Sequence, residues 1–531
     1  MPGVIAAGNK LTADAGIAIL KQGGNAVDAA VAAAFTSFIA EVGVVHLGGS
    51  GLAQIFDPAS GRHLVYDFFS NMPGLGGSGI VKDLDFQRVT IDYGSTMQDF
   101  HLGRGSVAVP GNIYGLCRLA ADYGQLPLST LLKPAHKLAE QGAVLDKFQA
   151  DTCELLRPLY THTEGMRAIF APQSQMVRAG DLITIPSLHK TLEGLADKGI
   201  ALLREGWLSE AILADQKQHG GLLTADDLRL YQVLRESPIR VEYRGFEVLL
   251  PPPSSTGGVL TAFTLKLVAS FSLQGMQHGS AAHLRLLFEA LAATSRARPF
   301  WDKAVADLRW QEAVAYFLGD HFVDPFLDEM RTALHDGHPS TVAQEPSGPK
   351  NTSHISVIDD EGMAVALTTT AGESAGYVVP QTGFIANNVL GEEDLNPAGF
   401  HQWKPGQRIF TMMTPTIVLR DGMIRLVTGS GGSNRIRSAI LQVLVNVLDF
   451  EMPLEVAVNA PRVHVEDGVM QCEYGYDGAA VDALERAGYS VNRWTTRSIY
   501  FGGAHSVAQE RDGSRVAAGD DRRGGAIATT G

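Results

Sequence analysis

Cysteine is scarce: three residues, Cys117, Cys153 and Cys472, in 531. The count is odd, the spacing is wide and no Cys-x-x-Cys occurs, which argues against a disulfide framework or a zinc site and suits a reducing compartment. Long apolar runs are missing as well. The most hydrophobic early stretch, 31–40, lies between Asp28 and Glu41 and falls far short of the ~20 residues that span a bilayer. The N-terminus, Met-Pro-Gly-Val-Ile-Ala-Ala-Gly-Asn-Lys, lacks the basic and apolar regions of a secretory signal. The expected location is therefore cytoplasmic, or periplasmic had a leader been removed. Basic residues are too few for a nucleic-acid partner: 43 Lys and Arg face 57 Asp and Glu, a net charge of −14. No fixed-period repeat is visible.

What is present is a large core and much glycine. Hydrophobic residues make up 45% of the chain and charged ones 19%, so disorder is excluded. The length allows three or four domains, or one large body. The 58 glycines follow no Gly-X-Y period and point to tight turns and close backbone approaches. Thr12 is the expected cap of a first helix, and Asn25 of a second, over 27–40. Strands are expected at 52–56 and 63–68, and helices through most of 110–240 and 260–329. Residues 336–351 carry His-Pro, Glu-Pro and Gly-Pro and no apolar period, the pattern of an exposed linker. Beyond it strands predominate, at 354–359, 363–370, 377–379, 416–419 and 424–428, with one helix over 435–450. The chain thus divides near 351 into a helix-rich part, 1–351, and a sheet-rich part, 352–531.

The hairpin at that division carries the chemistry. Two alternating runs flank Asp-Asp-Glu-Gly, a turn signal. With 360–362 as the loop, Asp359 faces Met363 and Thr352 faces Thr370, at the ~4.5–5.5 Å of opposed strand residues. A hydroxyl is a weak nucleophile without a base. If the chain is cut just before Thr352, its new α-amine, with a pKa of about 7.7–8.0, is that base. Thr370 could orient the nucleophile. Threonine also simply favours strands, and the hairpin alone does not decide between the two readings.

The decision comes from resemblance. Asn351-Thr-Ser-His354, Leu367-Thr-Thr-Thr370 and Gly383-Phe-Ile-Ala-Asn-Asn388 resemble the processing region of the gamma-glutamyltransferase family. Gly23-Gly-Asn-Ala-Val-Asp28, Val109-Pro-Gly111, Pro251-Pro-Pro-Ser-Ser-Thr-Gly-Gly258, Met413-Thr-Pro-Thr416, Thr428-Gly-Ser-Gly-Gly-Ser433 and Asn459-Ala-Pro-Arg462 recur in the family's order. The resemblance implies an α+β, four-layer αββα N-terminal nucleophile hydrolase. It implies self-cleavage between Asn351 and Thr352 into large and small subunits of one intertwined body, with Thr370 as second catalytic threonine. Backbone N–H groups of the glycine run would form an oxyanion hole. Ungapped alignment gives Gly432 and Ser433, composition gives Gly431 and Gly432; read alone, the run is an ordinary strand-to-helix turn or a phosphate nest.

The substrate positions depart from the family. Phe69 stands where the family has its carboxylate-binding arginine, Gly372 where it has asparagine, and Thr411-Met412 where it has a serine pair; Glu392 matches the acidic ligand of the substrate amine. A guanidinium contact cannot be replaced by phenylalanine. The pattern is similar to the oxamate amidohydrolase branch. The expected function is amide hydrolysis or acyl transfer on a small-molecule amide, not optimised for gamma-glutamyl groups. A true glutathione hydrolase is the alternative, with Arg104 or another guanidinium supplying the missing contact. No cofactor or metal is called for; His46, His354 and His464 lack ligand spacing. A homo-oligomer is left open. Two rivals remain: a non-enzymatic binder, and a serine esterase on Ser374 in Gly372-Glu-Ser-Ala-Gly376, whose elbow motif needs a helix that Pro380 and Gly383 forbid.

Overall fold

The computed structural model describes residues 2–77, 83–92, 97–340 and 352–531. Its first helix, Lys10–Lys21, starts three residues earlier than a cap at Thr12 implies. Asn9 is the cap, its side chain accepting from Leu11 N, while Thr12 is turned inward to Glu41. The helix Ala26–Ala40 is capped by Asn25 as expected, in a reciprocal box with Asp28. Every residue of this Ala-rich helix is buried, so it has no polar face to mark its orientation.

Two sheets form the middle of the molecule. The first has seven strands in the order Ala526–Thr529, Val4–Ala7, Ser353–Ile358, Ala364–Thr370, Ser50–Asp57, Arg62–Phe68 and Leu234–Glu236. The second has six: Arg515–Ala518, Ser506–Gln509, Met423–Thr428, Thr416–Arg420, Phe246–Leu250 and Ile239–Tyr243. Strands from both sides of residue 352 are needed to complete each sheet.

Strand alternation sorts the apolar side chains into three cores. Ile5, Ala7, Ile355, Val357, Val365 and Leu367 pack against the helices Lys10–Lys21, Ala26–Ala40 and Asn112–Tyr123. Val4, Ala6, Ile358, Ala364, Ile417 and Val427 fill the space between the sheets. Val248, Leu250, Val418 and Leu426 pack against Thr256–Ala269, Ala281–Asp307 and Arg435–Leu448. The result is helix, sheet, sheet, helix.

The first five residues of the expected linker, 336–340, are held against the body. Asp336 ends the helix Asp320–Asp336. His338 then contacts the Ala487 carbonyl at 3.1 Å, and Ser340 donates its N–H to Glu289 Oε1 at 3.3 Å. Its Pro-rich remainder, and Asn351 with it, lie outside the described residues. Among the described residues, no helix is long and apolar enough to cross a membrane. The three cysteines are buried and unbridged; burial pushes the Cys117 thiol up to about 12 and Cys472 to about 11.

Candidate active site

The hairpin register agrees with the sequence count. Ser353 pairs with Thr369 and Ile358 with Ala364, so one further step brings Thr352 opposite Thr370. Asp359 N donates to the Met363 carbonyl at 3.0 Å. Asp359 also fixes the turn: Oδ1 accepts from Glu361 N and Met363 N, and Oδ2 from Ala26 N at the start of the buried helix. Both threonines are 6% exposed.

The glycine run lies on Thr352. A Cβ on Gly431 would sit 2.0 Å from the Thr352 carbonyl oxygen, so only glycine permits this approach. Gly432 has φ +119, a conformation that side chains disfavour. Ser433, at φ +49, donates its hydroxyl to Asp394 Oδ2 at 2.8 Å, and the helix Arg435–Leu448 begins two residues on. The run therefore brings a helix N-terminus to the end of the hairpin, a place where negative charge is stabilised.

Thr370 Oγ1 accepts from Gly372 N at 3.1 Å. Gly372 has φ +67, and a Cβ there would meet Glu392 Oε1 at 2.1 Å and Asn388 Oδ1 at 2.3 Å. Glu392 thus fills the space a larger residue at 372 would take. Thr411 donates its N–H to the Ser254 carbonyl, and its hydroxyl accepts from Met413 N. Thr411 and Met412 line a small cavity with Thr256, Arg298 and Asp394.

Two readings, Phe69 and Arg104, need correction, while the rejection of Ser374 as a nucleophile agrees with the structure. Phe69 is fully buried, in the core with Leu52, Met72 and Ala108, and presents no surface to a ligand. Arg104 is spent elsewhere: Nε and Nη2 each donate to Asp215 at 3.0 Å, and the guanidinium lies 4.0 Å from the Tyr377 ring centroid. Ser374 is fully buried with φ +118, its hydroxyl accepting from Gly376 N, and a two-residue strand follows where an elbow needs a helix.

Two further residues at the site, Arg523 and Glu41, carry no sequence signal. Arg523 donates to the Thr352 carbonyl at 3.3 Å and to the Ile499 carbonyl at 3.1 Å, reaching in from the C-terminal segment. Glu41 accepts from Ser353 and from Thr12. His354 is wholly buried, hydrogen-bonded to Thr368 and Ser356, and burial holds it neutral far below the usual histidine range. Its place is beneath the site, against Gly429.

A family model described as gamma-glutamyltranspeptidase matches residues 12–530. The chain belongs to the gamma-glutamyltranspeptidase family. It is 32% identical over 525 residues to the acylase ACY 1 proenzyme of Pseudomonas sp. (strain V22), covering 97% of this chain and 91% of that one. It is 28% identical over 537 residues to the glutathione hydrolase proenzyme of Escherichia coli (strain K12), covering 98% and 90%. The crystal structure of cephalosporin acylase from Bacillus halodurans superposes with a TM-score of 0.84 at 24% identity, over 99% of this chain and 95% of that one. Gamma-glutamyltranspeptidase of Helicobacter pylori gives a TM-score of 0.52 at 26% identity, over 61% and 90%. The four layers are those of the N-terminal nucleophile hydrolases, and this family member is an enzyme of the amide-cleaving, acyl-transferring class.

Proposed function

We propose that this gamma-glutamyltranspeptidase-family chain cuts itself between Asn351 and Thr352 and then hydrolyses a small-molecule amide through an acyl-enzyme on Thr352. The observation that carries the reading is the pairing of Thr352 with Thr370 beneath a glycine run that touches the Thr352 carbonyl. In the precursor, the Thr352 hydroxyl attacks the Asn351 carbonyl and water opens the resulting ester. In the processed enzyme the free α-amine takes the hydroxyl proton as the oxygen attacks the substrate carbonyl. Thr370 holds that hydroxyl in line. N–H groups within 431–433 receive the developing oxyanion, each contributing typically ~10²–10³ in rate. The amine returns the proton to the leaving nitrogen, and water or an amine acceptor then releases the acyl group. The two products of the cut stay together as large and small subunits.

Without a guanidinium at 69, gamma-glutamyl compounds are expected to be poor substrates and a different, small acidic amide a better one. Glu392 favours a second reading, a glutathione hydrolase, because its carboxylate stands beside Gly372 where a substrate ammonium could be held. The test is N-terminal sequencing of the purified protein followed by product mass on an amide panel that includes a gamma-glutamyl anilide. A fully active single chain refutes the threonine mechanism. Efficient glutamyl turnover selects the second reading.

A further inference from the structure

Consecutive arginines near the C-terminus face opposite ways. Arg522 donates through Nε and Nη2 to Glu473 and through Nη1 to Asp520 Oδ1 at 3.0 Å. Arg462 Nη2 donates to Asp520 Oδ2 at 2.6 Å. These four side chains are buried, and their pairs fix the turn Asp521–Arg523. Arg523, buried as well, leaves that turn toward the nucleophile. Its Nη1 reaches the Thr352 carbonyl at 3.3 Å and its Nη2 the Ile499 carbonyl at 3.1 Å. Glycines clear its path: a Cβ on Gly503 would meet the Arg523 stem at 2.6 Å, and one on Gly431 would stand 3.1 Å from Nη1. The guanidinium therefore lies where the glycine run meets Thr352.

The nitrogen and carbonyl oxygen of one residue are roughly 3 Å apart, so after the cut this charge stands roughly 5–6 Å from the Thr352 α-amine. A like charge at that range disfavours the ammonium form. We propose that Arg523 is a positioning residue of the nucleophile: it holds the Thr352 main chain beneath the glycine run, and its charge keeps the freed α-amine neutral near pH 7. This rests on the self-cleavage reading above and deepens it. Other ionisable groups surround the same residue. Glu41, bonded to Ser353, opposes Arg523 when ionised, but burial raises that carboxyl to about 7, with Asp146 behind it. His354 on the same strand and His505 beyond it are held neutral by burial. Asp520 and Glu473 are engaged by Arg462 and Arg522. On the helix side, Asp394 is bonded to Ser433, and Arg435, against the Tyr500 ring, adds to the positive helix end. Past Thr370 lie Glu373 and Glu392, both buried, which pull the other way. Arg523 acts through direct contact with Thr352.

The experiment titrates the amine itself and needs no substrate. Processed enzyme is labelled with trace acetic anhydride from pH 5 to 10, and acetylation of the peptide that begins at Thr352 is read by mass spectrometry, after hydroxylamine has removed any ester on the hydroxyl. The wild-type amine should titrate near 7, below the 7.7–8.0 of an ordinary chain end. Arg523→Gln should raise that value by about one unit, the scale of a like charge at this distance. Arg523→Lys, which keeps the charge, should restore most of the difference. Arg497→Gln removes a charge from the outer side of the same turn, where Arg497 meets Asp521, and should leave the value unchanged. Equal values in wild type and Arg523→Gln, or a wild-type value at or above 8, overturn the proposal. If Arg523→Gln fails to fold or to cut, the wild-type value still decides. An active wild type with no chain beginning at Thr352 overturns the threonine reading itself.

Discussion

Replacing Glu41 by glutamine should flatten the dependence of stability on pH. Glu41 follows the helix Ala26–Ala40, 1% exposed, at the negative end of the helix dipole. Burial raises its carboxyl from an ordinary 4.5 to about 7; hydrogen bonds from Ser353 and Thr12 pull the other way, and Asp146 adds repulsion. Between these two values the folded chain holds a proton that the unfolded chain has released. Folding is therefore favoured at low pH by this group, and that contribution is lost as pH rises from about 4.5 through 7. At 1.36 kcal/mol per tenfold change in proton affinity, the full swing is about 3 kcal/mol. Asp28, Asp146 and Asp359 are raised as well, so the wild type alone does not isolate the effect. Glu41→Gln preserves the shape, keeps one hydroxyl bond through its carbonyl oxygen, reverses the other so that its NH2 donates to the hydroxyl, and cannot ionise. Between pH 5 and pH 8 the thermal midpoint should fall less for the variant than for the wild type, by on the order of 3 °C for a chain of this size. Parallel curves would show that Glu41 is already ionised in the fold.

Four further outcomes follow from the same geometry. Thr352→Ala should leave one band on a denaturing gel and no amidase activity, and a cleaved Thr352→Ala chain would contradict the assigned nucleophile. Gly431→Ala should lower kcat by at least ~10², because its Cβ must push away the Thr352 carbonyl; near-normal turnover would remove the glycine run from the mechanism. For the processed enzyme, kcat/KM should rise with pH and level off near 8, since the α-amine acts as base only when neutral. Phe69→Ala should destabilise the fold by about 3–5 kcal/mol, measured by denaturant unfolding, because the ring is wholly buried; a neutral effect would place it at the substrate instead.

The hairpin that carries Thr352 and Thr370 was legible in the sequence because its logic is local. A period of two on each side of Asp-Asp-Glu-Gly fixes which residues oppose, and the register agrees residue for residue. The helix Asn112–Tyr123 and the Asn25 cap were legible for the same reason. What the sequence did not disclose depends on chain segments that meet only after folding. Arg523 lies 171 residues from Thr352 and sits in Asp-Asp-Arg-Arg-Gly-Gly, which has no period. Val4–Ala7 is too short to read as a strand, yet it fills the gap between Ser353–Ile358 and the C-terminal strand. At Phe69, whether the side chain faces ligand or core is set by the packing of Met72 and Ala108 around it. Gly372 looked like a lost ligand, whereas the structure shows the space it frees occupied by Glu392.

The sheets also record history. Ser353–Ile358 lies between Val4–Ala7 and Ala364–Thr370, and the second sheet likewise borrows Phe246–Leu250 and Ile239–Tyr243 from the first part of the chain. Before the cut, the tether keeps the two parts at an effective concentration of the order of millimolar. After it, reassembly from denaturant is a meeting of two molecules, and at micromolar protein the lost tether is worth about 4 kcal/mol, a thousandfold in the equilibrium. Precursor and mature enzyme would share one folded shape but not one folding reaction: the first refolds at a rate independent of dilution, the second only as fast as its pieces find each other. Each molecule thus folds once as a single chain, and the scission makes that event hard to repeat.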